Sequence, residues 1–145
     1  MTAVPSAPIL PGAMEFEITW VDPTLVVCRT SGVAEVKGYE EFLRAVSSSP
    51  EFGPDVSVLM DLTALDISLL TVTDMEELVR LRVRFAAERK ARSAIVVGKG
   101  SPLKYGLGRM FEGLLASQLA FEIRVFEELD EAMAWLKADD ANPAP

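Results

Sequence analysis

Along the chain the apolar positions switch between strict alternation, short unbroken runs and helical spacing. Each pattern predicts a different element. Phe16, Ile18 and Trp20 alternate with Glu15, Glu17 and Thr19, which predicts a half-exposed strand. Asp22-Pro23-Thr24 predicts a turn. The run 25–31 then reads as a second strand, antiparallel to the first and ended by Gly32. Phe42, Leu43 and Val46 set a helix over 36–46, and 47–54 reads as a loop. Residues 56–62 have almost no polar interruption, the pattern of a strand covered on both faces. Thr73-Asp74-Met75-Glu76 fits a capping box, so a helix is expected to start there and run to about Arg89. Its inward positions are Met75, Leu78, Val79 and Val83.

Residues 93–97 form another unbroken apolar run. Ser101-Pro102 supplies an N-cap with proline at the first helical position. The helix it opens is expected to turn Leu103, Leu107, Met110, Phe111, Leu114 and Leu115 inward. A strand over 122–126 and a helix over 129–137, with Leu129, Ala132, Met133 and Leu136 inward, complete the chain. Strands that alternate with helices need crossover connections. The fold class is therefore α/β: a mainly parallel five-stranded sheet with one antiparallel N-terminal strand and four main helices. The expected organisation is one domain over 14–138, with proline- and alanine-rich tails at 1–13 and 139–145.

Composition narrows the chemistry. The 145 residues include no histidine and one cysteine, Cys28, which excludes an internal disulfide and removes the usual metal ligands and general base. Cys28 lies in an apolar run and reads as a small buried hydrophobe. No cofactor and no metal is implied. Half the residues are apolar and the net charge is −8, which argues against nucleic acid as a partner. No run is long enough for a transmembrane segment and 1–13 does not read as a signal peptide, so the expected setting is cytoplasmic.

Charge is uneven along the chain. Residues 80–109 carry nine basic side chains against one acidic, Glu88. Such a stretch can meet an acidic partner, an anionic lipid or the acidic face of a second copy. Alternatively, folding disperses it, with Glu76–Arg80 and Arg84–Glu88 pairing along one helix. Arg82 lies close to the Leu78–Val79 stripe and is an interface candidate.

Ligands of parallel α/β sheets tend to bind beyond the carboxyl ends of the strands. The residues expected there are Ser31, Gly32, Asp61, Thr63, Gly98, Lys99, Gly100 and Ser101; with Lys99 and Lys104 adding positive charge, the last group is a candidate anion site at a helix start. A plain connecting loop is the competing reading, with Asp61 accepting N–H bonds from the segment that follows it. Gly106, Gly108 and Gly113 weaken one helix, which implies a close approach to its backbone. Tyr105, Gly106 and Arg109 are further interface candidates, and Arg109 is placed to pair with Glu112.

Three segments carry a resemblance: Val58-Leu59-Met60-Asp61-Leu62, then Tyr105-Gly106-Leu107-Gly108-Arg109-Met110-Phe111-Glu112, then Val125-Phe126 with Glu131-Ala132-Met133-Ala134-Trp135-Leu136. With the element order, they make residues 16–136 resemble a bacterial SpoIIAA-like family of STAS type, whose best-known members are anti-sigma-factor antagonists. The wider fold is also similar to the lipid-binding CRAL-TRIO domains. The resemblance implies a SpoIIAA-like fold and a non-catalytic, protein-interacting or regulatory module, with a protein partner or self-association as a homodimer. The alternative is a carrier of a lipid or acyl anion in a basic, apolar pocket. Antagonists of that group carry Asp-Ser-Ser-Gly with a phosphorylated serine after the central strand. Residues 63–71 lack that tetrapeptide, leaving Ser68 or Thr71 as remote counterparts.

Overall fold

The computed structural model describes residues 14–85, 91–119 and 121–138. The expected tails at 1–13 and 139–145 lie outside the described residues. Five strands form one sheet in the order β1-β2-β3-β4-β5. These are β1 (Glu15–Asp22), β2 (Leu25–Val33), β3 (Ser57–Asp66), β4 (Ser93–Val96) and β5 (Ile123–Phe126). β1 is antiparallel to β2, and every later pair is parallel. Asp22 closes the first turn by accepting the Thr24 N–H at 2.7 Å and its hydroxyl at 2.8 Å.

Four helices follow the expected order: α1 (Val36–Ser47), α2 (Val72–Arg84), α3 (Pro102–Leu115) and α4 (Leu129–Lys137). Parallel crossovers are right-handed, and here each strand is added on the same side of the last. α1, α2 and α3 therefore share one sheet face. Their residues Phe42, Met75, Val79, Phe111 and Leu115 pack with Val26, Cys28, Val58, Ile95 and Val125. α4 follows the last strand, makes no crossover and covers the opposite face, where Ala132 and Leu136 meet Leu25, Val27, Leu59, Ala94 and Val96. β4 is buried at every position, as its unbroken apolar run predicts. Each fully buried leucine such as Leu59 or Leu115 contributes about 1.5–3 kcal/mol.

Several boundaries differ from the sequence expectation. β2 does not stop at Gly32, which adopts φ 82° and still pairs with Leu65. Glycine reaches that left-handed region without the Cβ clash that would break the strand. β3 runs on to Asp66 rather than ending at Leu62. α2 starts two residues earlier than the Thr73 box. Thr71 is its N-cap, accepting from Asp74 N at 3.0 Å while Asp74 accepts from Thr71 N at 3.0 Å. Leu70 before the cap and Met75 at the fourth helical position stand where a hydrophobic staple holds the entry angle, and both join the core. α2 closes at Arg84 with Phe85 as C-cap; the rest of the expected extension, 86–89, lies outside the described residues.

The inward stripe of α3 also differs. Gly108, Phe111 and Leu115 are buried, whereas Leu103, Met110 and Leu114 are 56 %, 41 % and 46 % exposed. Gly108 decides this. A Cβ there would lie 3.1 Å from Val125 Cγ1, so the helix rests its bare backbone on β5 and its leucine ridge turns outward. No such approach exists at Gly106 or Gly113, where a Cβ meets nothing within 4 Å. Leu129 at the start of α4 is likewise exposed rather than inward.

Two outcomes follow for stability. Gly106→Ala fills open space on a helix and is expected to raise stability by about 0.5–1 kcal/mol, while Gly108→Val, wedged against Val125, is expected to lower it. Urea unfolding of both variants measures the contrast. Burial pushes the Cys28 thiol up to about 12 from 9.0. Its folded-state pKa exceeds the unfolded one, so its contribution is full below pH 9 and is lost as pH rises towards about 12. Cys28→Ala is expected to flatten that alkaline decline in stability, and the native thiol is expected to resist a thiol reagent until denaturant is added.

Candidate functional site

The carboxyl end of β3 holds a bulge. Opposite β2, the pairing steps from Arg29 to Ser31 on one strand but from Asp61 to Ala64 on the other. Leu62 and Thr63 are thus skipped by the ladder, and their carbonyls need other donors. Lys104 supplies them from α3: its Nζ donates to Leu62 O at 2.8 Å and to Thr63 O at 2.9 Å. Asp61 turns its side chain back to accept the Thr63 N–H at 2.9 Å, and Arg29 approaches the same carboxylate at 3.9 Å. Thr30 Oγ1 donates to Asp61 O at 2.9 Å. Desolvation pulls the Lys104 ammonium below its ordinary value, and the carboxylates of Asp66 and Asp61 oppose it.

Of the expected anion-binding residues, the structure brings Asp61, Thr63 and Lys104 into this cluster and gives them to one another. Gly98, expected beside them at the end of β4, joins the cluster. It has φ 85°, and a Cβ on it would stand 3.2 Å from Thr63 Cγ2, so only glycine lets the β4–α3 connection pass the bulge. Ser31 lies apart, in the ladder between Glu15 and Ala64. Lys99 is exposed and pairs with Glu128 at 3.3 Å, Gly100 makes the turn with φ 79°, and Ser101 caps α3 by accepting from Lys104 N at 3.4 Å. An anion would have to displace a carboxylate, a cap and two carbonyls. The sheet order never reverses, so no reversal of strand order opens a ligand crevice here as it does in other α/β sheets.

Among the described residues the basic stretch is dispersed by folding; Arg89 and Lys90 lie outside them. Arg84 pairs with Glu40 of α1, Arg92 with Glu122 and Lys99 with Glu128, while Arg80 pairs with Glu77 rather than Glu76. Glu88 lies outside the described residues.

Arg82, expected at an interface, is instead 7 % exposed and inside the fold. Its Nη2 donates to Ser93 Oγ at 3.0 Å and its guanidinium lies 4.9 Å from the centre of the Phe121 ring. Burial pulls it below its ordinary value, with the neighbouring Tyr39 acting in the other direction.

Tyr105, Gly106 and Arg109 share the outer flank of α3. Arg109 donates to Tyr105 Oη at 3.2 Å and pairs with Glu112 at 3.5 Å. Glu112 in turn accepts the Val125 N–H at 3.3 Å, which occupies a donor on the edge strand. Ser68 is exposed and gives its N–H to Asp66 at 2.9 Å, whereas the Thr71 hydroxyl is committed to the α2 cap. A phosphate on Ser68 would meet the Asp66 carboxylate.

An apolar cavity of about 80 Å³ lies beneath the helices, lined by Leu65, Ile67, Met75, Leu107 and Phe111 with Lys104 among its residues. No helix among the described residues is long and apolar enough to cross a membrane. Among the described residues, no three Cys, Asp or Glu side chains gather as a metal site would need.

Five sequentially ordered strands, three helices on one face and a fourth behind define an α/β fold of SpoIIAA type. The SpoIIAA-like family pattern matches residues 25–137, and the chain belongs to that family. An uncharacterised protein with a SpoIIAA-like fold from Shewanella loihica PV-4 is similar in structure, with TM-score 0.58, 21 % identity, and 90 % of this chain and 98 % of that one covered. An anti-sigma factor antagonist from Mycobacterium paratuberculosis is similar too, with TM-score 0.54, 17 % identity, and 89 % of this chain and 98 % of that one covered. No curated protein sequence matches the chain.

The role of the cluster is open to direct test. Lys104→Met keeps the stem but strips both bulge carbonyls of their donor, and is expected to cost about 1–3 kcal/mol in urea unfolding. Inorganic phosphate is expected to leave the wild-type melting temperature unchanged.

Proposed function

We propose that this protein is a non-catalytic interaction module that associates with a second copy of itself through α3. The observation that carries the reading is the outer face of that helix. Gly106 and Gly113 lie along its centre with open space above them. Leu103, Met110 and Leu114 form an exposed apolar ridge on one side, and Tyr105 with Arg109 stands on the other. A bare groove between two ridges accepts a second helix at close range. Arg109 and Glu112 are three residues apart on one flank, so two copies crossing antiparallel about a two-fold axis set each arginine near the other's glutamate. The protein-regulating role named for the mycobacterial neighbour fits a module of this kind.

The contact is small. Fourteen helical residues span about 21 Å, and one helix pair buries less than the ~1,200 Å² of a standard interface. The dimer is therefore expected to be reversible, with Kd of about 1–100 µM. Analytical ultracentrifugation of the full chain is expected to show mass rising with concentration across that range. Met110→Glu is expected to leave a monomer with unchanged thermal unfolding. A wild-type monomer at about 0.5 mM would sink the proposal.

A carrier reading is favoured only by the apolar cavity with Lys104 in its lining. At about 80 Å³ it is smaller than the ~150 Å³ that holds one benzene, so an acyl chain enters only if the helices part. Native mass spectrometry with added fatty acids separates the two readings.

A further inference from the structure

A second, separate cavity of about 30 Å³ lies between α1, α2 and the sheet, and Arg82, Ser93 and Tyr39 are among its lining residues with Phe42, Phe85 and Phe111. Three features make it unlike a packing defect. Its guanidinium is buried, yet among the described residues no carboxylate pairs with Arg82, and Ser93 Oγ is the sole hydrogen-bond acceptor it reaches. A guanidinium carries five N–H donors, so most of them lack a protein partner. The Tyr39 hydroxyl is also buried and has no hydrogen bond among the described residues. Apart from Ser47 the remaining walls are apolar, so among the described residues the positive charge faces ring surfaces and hydroxyls but no counter-charge.

We propose that this cavity is a binding site for one small monovalent anion, of chloride to formate size, held by the Arg82 guanidinium with help from the Tyr39 and Ser93 hydroxyls. The charge explains the sign of the ligand: buried charges in proteins are paired, and among the described residues this one has no carboxylate to pair with. The volume sets its size. One water needs about 10–15 Å³ by this measure, so about 30 Å³ takes a halide or a formate and excludes sulfate, phosphate and any acyl tail. The donor set fits as well, since guanidinium and hydroxyl groups all present hydrogens to an acceptor-only guest. The anion would act as a structural ion that neutralises the core, independent of any association through α3.

Thermal unfolding of the full chain at constant ionic strength tests this, with gluconate salt exchanged for chloride, bromide or formate. A rise of about 3–6 °C at 0.5 M chloride is expected, with no comparable rise in sulfate beyond its general salting effect. A rise with halides alone assigns a halide, and one with formate as well assigns small carboxylates. Crystals grown in bromide are expected to show an anomalous peak within hydrogen-bond distance of Arg82. Arg82→Met is expected to abolish the anion dependence; should that variant not fold, the bromide density in the wild type decides alone. Equal melting in every salt, or density in the cavity that fits water only, overturns the proposal.

Discussion

Each strand from β2 onward is laid against the one before it, always on the same side, and right-handed crossovers then leave the intervening helices one face to occupy. This constraint organises the molecule. It stacks α1, α2 and α3 on Val26, Cys28, Val58, Ile95 and Val125, and it leaves α4 to cover Leu59 and Val96. It also removes the reversal of strand order at which α/β sheets open a ligand crevice. Three helices crowded on one face must tilt and share space, and both cavities of the core lie beneath them.

The bulge in β3 shows how local irregularity is absorbed. An extra residue opposite Arg29–Ser31 leaves two carbonyls outside the ladder. Left unpaired, each would cost about 1–3 kcal/mol. Lys104, Asp61 and Thr30 satisfy the region from three different elements, and Gly98 grants the room. Lys104 therefore ties the sheet to α3, while Asp61 and Thr30 bond the backbone of the bulge itself.

Folding also rewrites the charge map. Three basic residues of 80–109, Arg84, Arg92 and Lys99, are drawn against Glu40, Glu122 and Glu128, which come from α1, the turn before β5 and the turn before α4. What remains distinctive on the surface is the glycine-lined outer face of α3 with its exposed ridge. What remains distinctive inside is an arginine that no acid among the described residues accompanies.

Alternation at Phe16–Trp20, unbroken apolar runs at β3 and β4 and the Ser101-Pro102 start were enough to read the element order and the parallel sheet, because burial on one or two faces leaves a direct periodic trace. The Asp61 bond to the Thr63 N–H and the Arg109–Glu112 pair were legible too, being contacts within a few residues. Long-range partners were not. That Arg82 faces inward depends on Ser93 and Phe121, which arrive from beyond the helix. Which side of α3 is buried depends on Val125 pressing on Gly108, and the apolar spacing of Leu103, Met110 and Leu114 is the same whichever side wins. Local sequence records periodicity and near-neighbour chemistry; which element supplies the partner is decided only when the sheet closes.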